Sequence, residues 1–141
     1  MSKLLQRLTD SERSGVYRAE AARAIEEALQ GIEADLARVS LRAAHTKDEV
    51  LDRLAAALGF PAWFGRNWDA AEDCLADLSW RPSAPVQVLL FEDAQPSAEI
   101  DMLCDVLAAA ADFWRSKGRP FFAVFVDPKG ALPLPLLHRP G

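Results

Sequence analysis

Between Asn67 and Trp80 the sequence NWDAAEDCLADLSW places carboxylates at Asp69, Glu72, Asp73 and Asp77, three or four residues apart. Carboxylates grouped in this way can serve as general acid and base, can ligate a divalent cation, or can occupy positions that a basic site reserves for phosphate. On a helix the spacing puts them on one face, where like charges repel by a few tenths of a kcal/mol per pair. No Lys or Arg is interleaved between Asp69 and Asp77 to relieve that repulsion. Trp63, Trp68 and Trp80 stand beside the cluster, and rigid aromatic area ringed by charge is a common composition for a binding surface.

Turning each residue by about 100° from Trp68 puts Ala70, Ala71, Cys74, Leu75 and Leu78 between about 200° and 340°, a single apolar stripe. Asp69, Glu72, Asp73, Asp77 and Trp80 fall between about 40° and 180° on the same construction, so the carboxylates are expected to face outward together with Trp80. Trp68, at the margin of the stripe, is read as core. A merely solvated helix face, with Asp69 favoured near the N-terminus by the macrodipole, explains Asp69 but neither the missing cations nor the tryptophans. Catalysis is disfavoured, because no His, Lys or Ser nucleophile stands at a recognisable spacing from the carboxylates and nothing predicts a closed pocket. The chain is read as a non-enzyme with no cofactor.

The surrounding elements must hold this helix. Leu36 to Ala43 alternates and reads as a strand; Thr46 with Glu49 three residues on has the capping-box spacing and opens a helix through Leu58, stopped by Gly59-Phe60-Pro61. Val86 to Phe91 and Phe121 to Val126 are continuous apolar runs, as expected of strands covered on both faces. A long helix from about Ser97 to Lys117 lies between them. Upstream, Ser14 to Ala19 reads as a short strand, and about Glu20 to Gln30 as a helix ended by Gly31. Strands separated by helices predict an α/β fold with a small, mainly parallel sheet of three to four strands packed with helices.

The 141 residues carry a formal net charge of −5 and no Lys/Arg cluster, which argues against a chain that binds nucleic acid directly through its phosphates. A basic partner suits this balance. MSKLLQRLTDSER lacks an apolar run of signal-peptide or membrane-span length, so a cytoplasmic protein without membrane association is expected. Cys74 and Cys104 lie within helical patterns and are expected to be free, buried thiols. With His45 and His138 as the only histidines, no metal site is predicted.

The segment FPAWFGRNWDAAEDCLADLSW resembles the barstar family of intracellular ribonuclease inhibitors, whose signature is a Pro, an aromatic pair, Gly, Asn and a helix with two Asp residues followed by Cys-Leu. The resemblance runs in order from Leu36 to Val126. The first 35 residues resemble an extension seen in some longer members, which gives a division into an extension (1–35, a strand and a helix packed on the domain), the barstar-like domain (36–126) and an extended tail (127–141). It implies an inhibitor, monomeric when free, that plugs a basic ribonuclease active site with an acidic helix and the preceding loop, in the manner of a toxin's immunity protein. By motif position Asp73 is the principal carboxylate, Asp69 the second and Trp63 the contacting aromatic, while Gly65 and Asn67 shape the loop and start the helix. Glu72 stands where the best-known member of the family has an aromatic contact, and Arg66 places a positive charge beside the acidic face. The alternative is an interaction module of the same fold that binds a protein other than a nuclease.

Overall fold

In the computed structural model, which describes residues 2–139, the chain runs through α1 (Lys3–Leu8), a 3-10 turn (Ser11–Arg13), β1 (Gly15–Ala19), α2 (Arg23–Leu29), β2 (Ala34–Ser40), α3 (Lys47–Leu58), α4 (Trp68–Leu75), β3 (Val86–Glu92), α5 (Ala98–Ser116) and β4 (Phe121–Val126). The two continuous apolar runs, β3 and β4, are the central strands, paired in parallel with Val88 opposite Phe122 and Leu90 opposite Val124. β2 flanks β3 and β1 flanks β4, giving a four-stranded sheet in the order β1-β4-β3-β2 in which every pairing is parallel. The fold class is α/β, as the alternation of strands and helices requires.

Because successive side chains leave a strand on opposite faces, the apolar runs divide into two cores. Leu89 and Phe91 with Phe121, Ala123 and Phe125 pack under α3, α4 and α5, against Leu51, Leu54, Leu58, Leu75, Leu103 and Leu107. Val86, Val88 and Leu90 with Phe122 and Val124 face the other way, and there the cover is Leu4 and Leu8 of α1, Ile25 and Leu29 of α2, and Leu137 of the tail. The N-terminal residues therefore supply an edge strand and most of the second layer.

Several boundaries differ from the sequence reading. The strand expected at Leu36 to Ala43 is Ala34–Ser40, because the chain turns at Ala43, which has φ of 61° while Ala44 N–H bonds back to Leu41 C=O at 3.0 Å. The helix expected from Glu20 begins at Arg23, behind Ala22, which has no side-chain acceptor for the first turn. α1 was not anticipated; Ser2 caps it and Leu4 and Leu8 bury it. The predicted capping box is present in full, with Thr46 Oγ1 accepting from Glu49 N–H at 3.2 Å and the Glu49 carboxylate accepting from Thr46 N–H at 3.1 Å.

Candidate functional site

The loop before α4 is built outward from the end of α3. Gly59 leaves that helix in the left-handed region at φ 65°, and Phe60 N–H returns to Ala55 C=O at 3.0 Å. Phe64 N–H then closes a turn on Pro61 C=O at 3.0 Å. Gly65 does not take the left-handed conformation in this loop: the left-handed residue is Arg66, at φ 52°. A Cβ on Gly65 would meet the Asn67 side chain at 3.4 Å and Ala70 at 3.7 Å, ordinary contacts. Asn67 caps α4 as expected, its Oδ1 accepting from Ala70 N–H at 2.7 Å.

An aromatic stack fixes the loop. Phe64 meets Phe60 edge-on with centroids 4.9 Å apart, Phe60 meets Trp80 at 6.1 Å, and Trp80 meets Trp63 at 6.2 Å. Edge-to-face pairs at these separations are favoured by the ring quadrupoles. Trp63 is the outermost ring and 60% exposed. Trp80 is half-buried, and its indole N–H donates to Leu58 C=O at 2.9 Å. It was expected on the outward face of α4; the helix instead ends at Leu75, Leu78 turns left-handed at φ 54°, and Trp80 folds back under Trp63. Phe60 was missed as the base of this stack, since nothing local in the sequence joins it to Trp80.

Asp69, Glu72 and Asp73 lie exposed on α4, and Asp77 lies exposed on the turn that follows. Ala71, Cys74 and Leu75 are buried beneath, and Trp68 is half-buried against the main core. The end of α4 is held by Trp114 of α5, whose indole N–H donates to Leu75 C=O at 2.8 Å. None of the four carboxylates forms an ion pair with a described residue, although Asp35, Asp52, Glu26, Glu27, Glu92 and Asp112 all do. The field of the arc reaches inward: burial pushes the Cys74 thiol up, and the charges of Asp73 and Asp77 add to the effect. Arg66, placed beside the acidic face by its sequence position, turns to α3 and makes a bidentate pair with Asp52, at 3.1 Å from Nε and 3.0 Å from Nη2.

The arrangement is an open surface. Two clefts, of about 850 Å³ among α1, α2 and the tail and about 730 Å³ at the carboxyl ends of β2, β3 and β4, are lined by other residues. Among the described residues no cluster of three or more His, Cys, Asp or Glu side chains could hold a metal ion, and no helix is long and apolar enough to cross a membrane. The family model described as Barstar (barnase inhibitor) matches residues 34–126, from the first residue of β2 to the last of β4. No curated protein matches the chain.

Proposed function

The chain belongs to the barstar family, and from that premise we propose that it inhibits a basic ribonuclease by covering the enzyme's active site with α4 and the Pro61–Arg66 loop. One observation carries the reading: Asp69, Glu72 and Asp73 on α4 and Asp77 on the turn after it are all exposed and form no ion pair with a described residue, although ion pairs are made around them. A ribonuclease site must attract phosphates with Arg, Lys or His, so carboxylates at matching positions act as an uncleavable substitute. Charge complementarity speeds the encounter and disfavours wrong partners. Trp63 supplies a large apolar contact beside the charges, at little cost in ordering because Trp80 already supports it. In this reading the chain performs no chemistry and requires no cofactor; inhibition is occlusion, and it takes place wherever the nuclease would otherwise reach the cell's own RNA.

The test is titration of barnase and other small basic ribonucleases with the wild-type chain and with Asp73→Ala, following RNA cleavage and binding. Asp73 sits in the middle of the arc, so its removal is expected to cost at least about 2 kcal/mol of binding, the hot-spot threshold. Much of that cost is partner cations left buried and unpaired. If an Asp73→Ala chain inhibits as well as wild type, the phosphate-substitute reading of α4 is wrong. A wild-type chain that captures a protein without nuclease activity through the same arc favours the interaction-module alternative.

A further inference from the structure

From Arg66 to Arg81 the sequence contains two cations, the terminal residues of that segment, and four carboxylates between them. Both arginines are committed elsewhere. Arg66 holds Asp52 of α3 through Nε and Nη2, and Arg81 holds Asp35 of β2 through the same two atoms, at 3.0 and 2.9 Å. The Asp35–Arg81 pair is largely buried and is part of the packing at the start of β2. The Arg66–Asp52 pair is different, with both side chains more than half exposed, at 55% and 57%. An exposed pair of that kind contributes little stability by itself, which leaves its position to be explained.

Arg66 directly precedes the cap residue of α4 and lies three residues from Asp69. A guanidinium there, released into water, is attracted to negative charge nearby, and Asp69 is the first carboxylate that follows it in the chain. The left-handed backbone at Arg66 and the carboxylate of Asp52 together turn the guanidinium toward α3 instead. We propose that Asp52 is a positioning residue of the recognition surface: by engaging Arg66 in a bidentate pair it keeps that cation off the arc, so that Asp69 and its neighbours meet the partner with their charge uncompensated. The proposal rests on the inhibitor reading for its purpose, but the position of Arg66 can be measured without any partner.

Three variants and three measurements test it. Asp52→Asn should release Arg66 onto the arc; Asp48→Asn removes the same charge from an exposed, unpaired position one turn earlier on α3 and leaves Arg66 held; Asp52→Asn/Arg66→Gln removes both members of the pair. In the free proteins, the side-chain carboxyl ¹³C resonance of Asp69, with those of Glu72 and Asp73, should move in Asp52→Asn, stay at the wild-type position in Asp48→Asn, and return toward it in the double variant. The Arg66 Nε–Hε resonance should stay distinct from a free guanidinium in Asp52→Asn, having changed partner. With barnase at low salt, association of Asp52→Asn should be about three- to tenfold slower than wild type, a portion of the steering that a charged cleft supplies. Asp48→Asn should fall well short of that change, and the double variant should recover. Arc resonances in Asp52→Asn that match both wild type and Asp48→Asn overturn the proposal, as does slowing of equal size in the two single variants. A wild-type chain that does not engage barnase, with arc resonances that move as expected, counts against barnase as the partner and leaves the positioning of Arg66 standing.

Discussion

Cys104 shows how side-chain chemistry is set by place. Its thiol is pushed up to about 12 by burial and then by the charges of Asp101 and Asp105 on its own helix, and Cys74 is raised for the same kind of reason. Both are free, and a thiol held above its ordinary value supplies little thiolate at neutral pH. Iodoacetamide at pH 8 should therefore modify the native protein slowly and the denatured protein at two sites; rapid native labelling of either residue would contradict this. The sign of the linked pH effect follows. A thiol whose folded value is raised contributes stability that is fully present below its unfolded value, ordinarily near 9.0, and is lost as pH climbs from there toward the folded value. Melting temperatures of wild type and Cys104→Ala should accordingly converge between pH 9 and pH 12, with wild type losing more. Trp63 is the other residue whose setting decides its role: 60% exposed and backed by Trp80, it should lose more binding than melting temperature on substitution by alanine. The reverse result would make it a packing residue.

At the level of the element, α4 has one buried and one exposed face. Leu75 is fully buried, so Leu75→Ala should destabilise by about 2 to 5 kcal/mol, whereas Asp73→Ala removes a charge that repels Asp69 and Asp77 at four-residue spacing and should leave the melt unchanged or slightly raised. Loss of the Asn67 cap should cost about 1 kcal/mol, readable in a denaturant titration. These assignments were readable in the sequence because they are local: caps, apolar periodicity and charge spacing all lie within a few residues of one another. What the sequence did not disclose is tertiary. The stop of α4 at Leu75 depends on an indole from α5, Trp80 turns inward because Leu58 offers it a carbonyl, and Arg66 faces away because Asp52 lies fourteen residues upstream, across a loop. The exposure of Asp69, Glu72, Asp73 and Asp77 therefore follows from their spacing, while the inward turn of Trp80 does not. α1 escaped for a related reason, since six residues with Leu4 and Leu8 buried carry too short a period to be told from a polar leader.

For the whole molecule, the family match begins at residue 34, yet the sheet does not end there. β1 adds a fourth parallel strand beyond β4, and α1, α2 and Leu137 cover Val86, Val88, Leu90, Phe122 and Val124 on the face opposite α4. The tail joins in: Leu137 N–H donates to Arg18 C=O at 2.9 Å, Arg18 N–H to Pro135 C=O at 2.9 Å, and the Asp127 carboxylate accepts from Leu132 N–H at 2.8 Å. Without the first 33 residues, central strands that are apolar on both faces would present one of those faces to water, a patch of the kind that drives association. Removal of residues 1–33 should therefore yield a chain that self-associates or unfolds, not a shorter chain of normal stability. A point substitution separates the second core from the proposed binding face more cleanly. Ile25 is fully buried on α2 against the far side of the sheet, and Ile25→Ala should destabilise by about 2 to 5 kcal/mol through lost burial and the cavity left behind. The melt should remain a single transition if both cores unfold together. If the chain binds a ribonuclease as proposed, affinity measured well below that transition should equal wild type, since the sheet stands between α2 and α4. An Ile25→Ala chain that melts like wild type would make the N-terminal residues an appendage; one that melts in two steps would make the two faces of the sheet separate units.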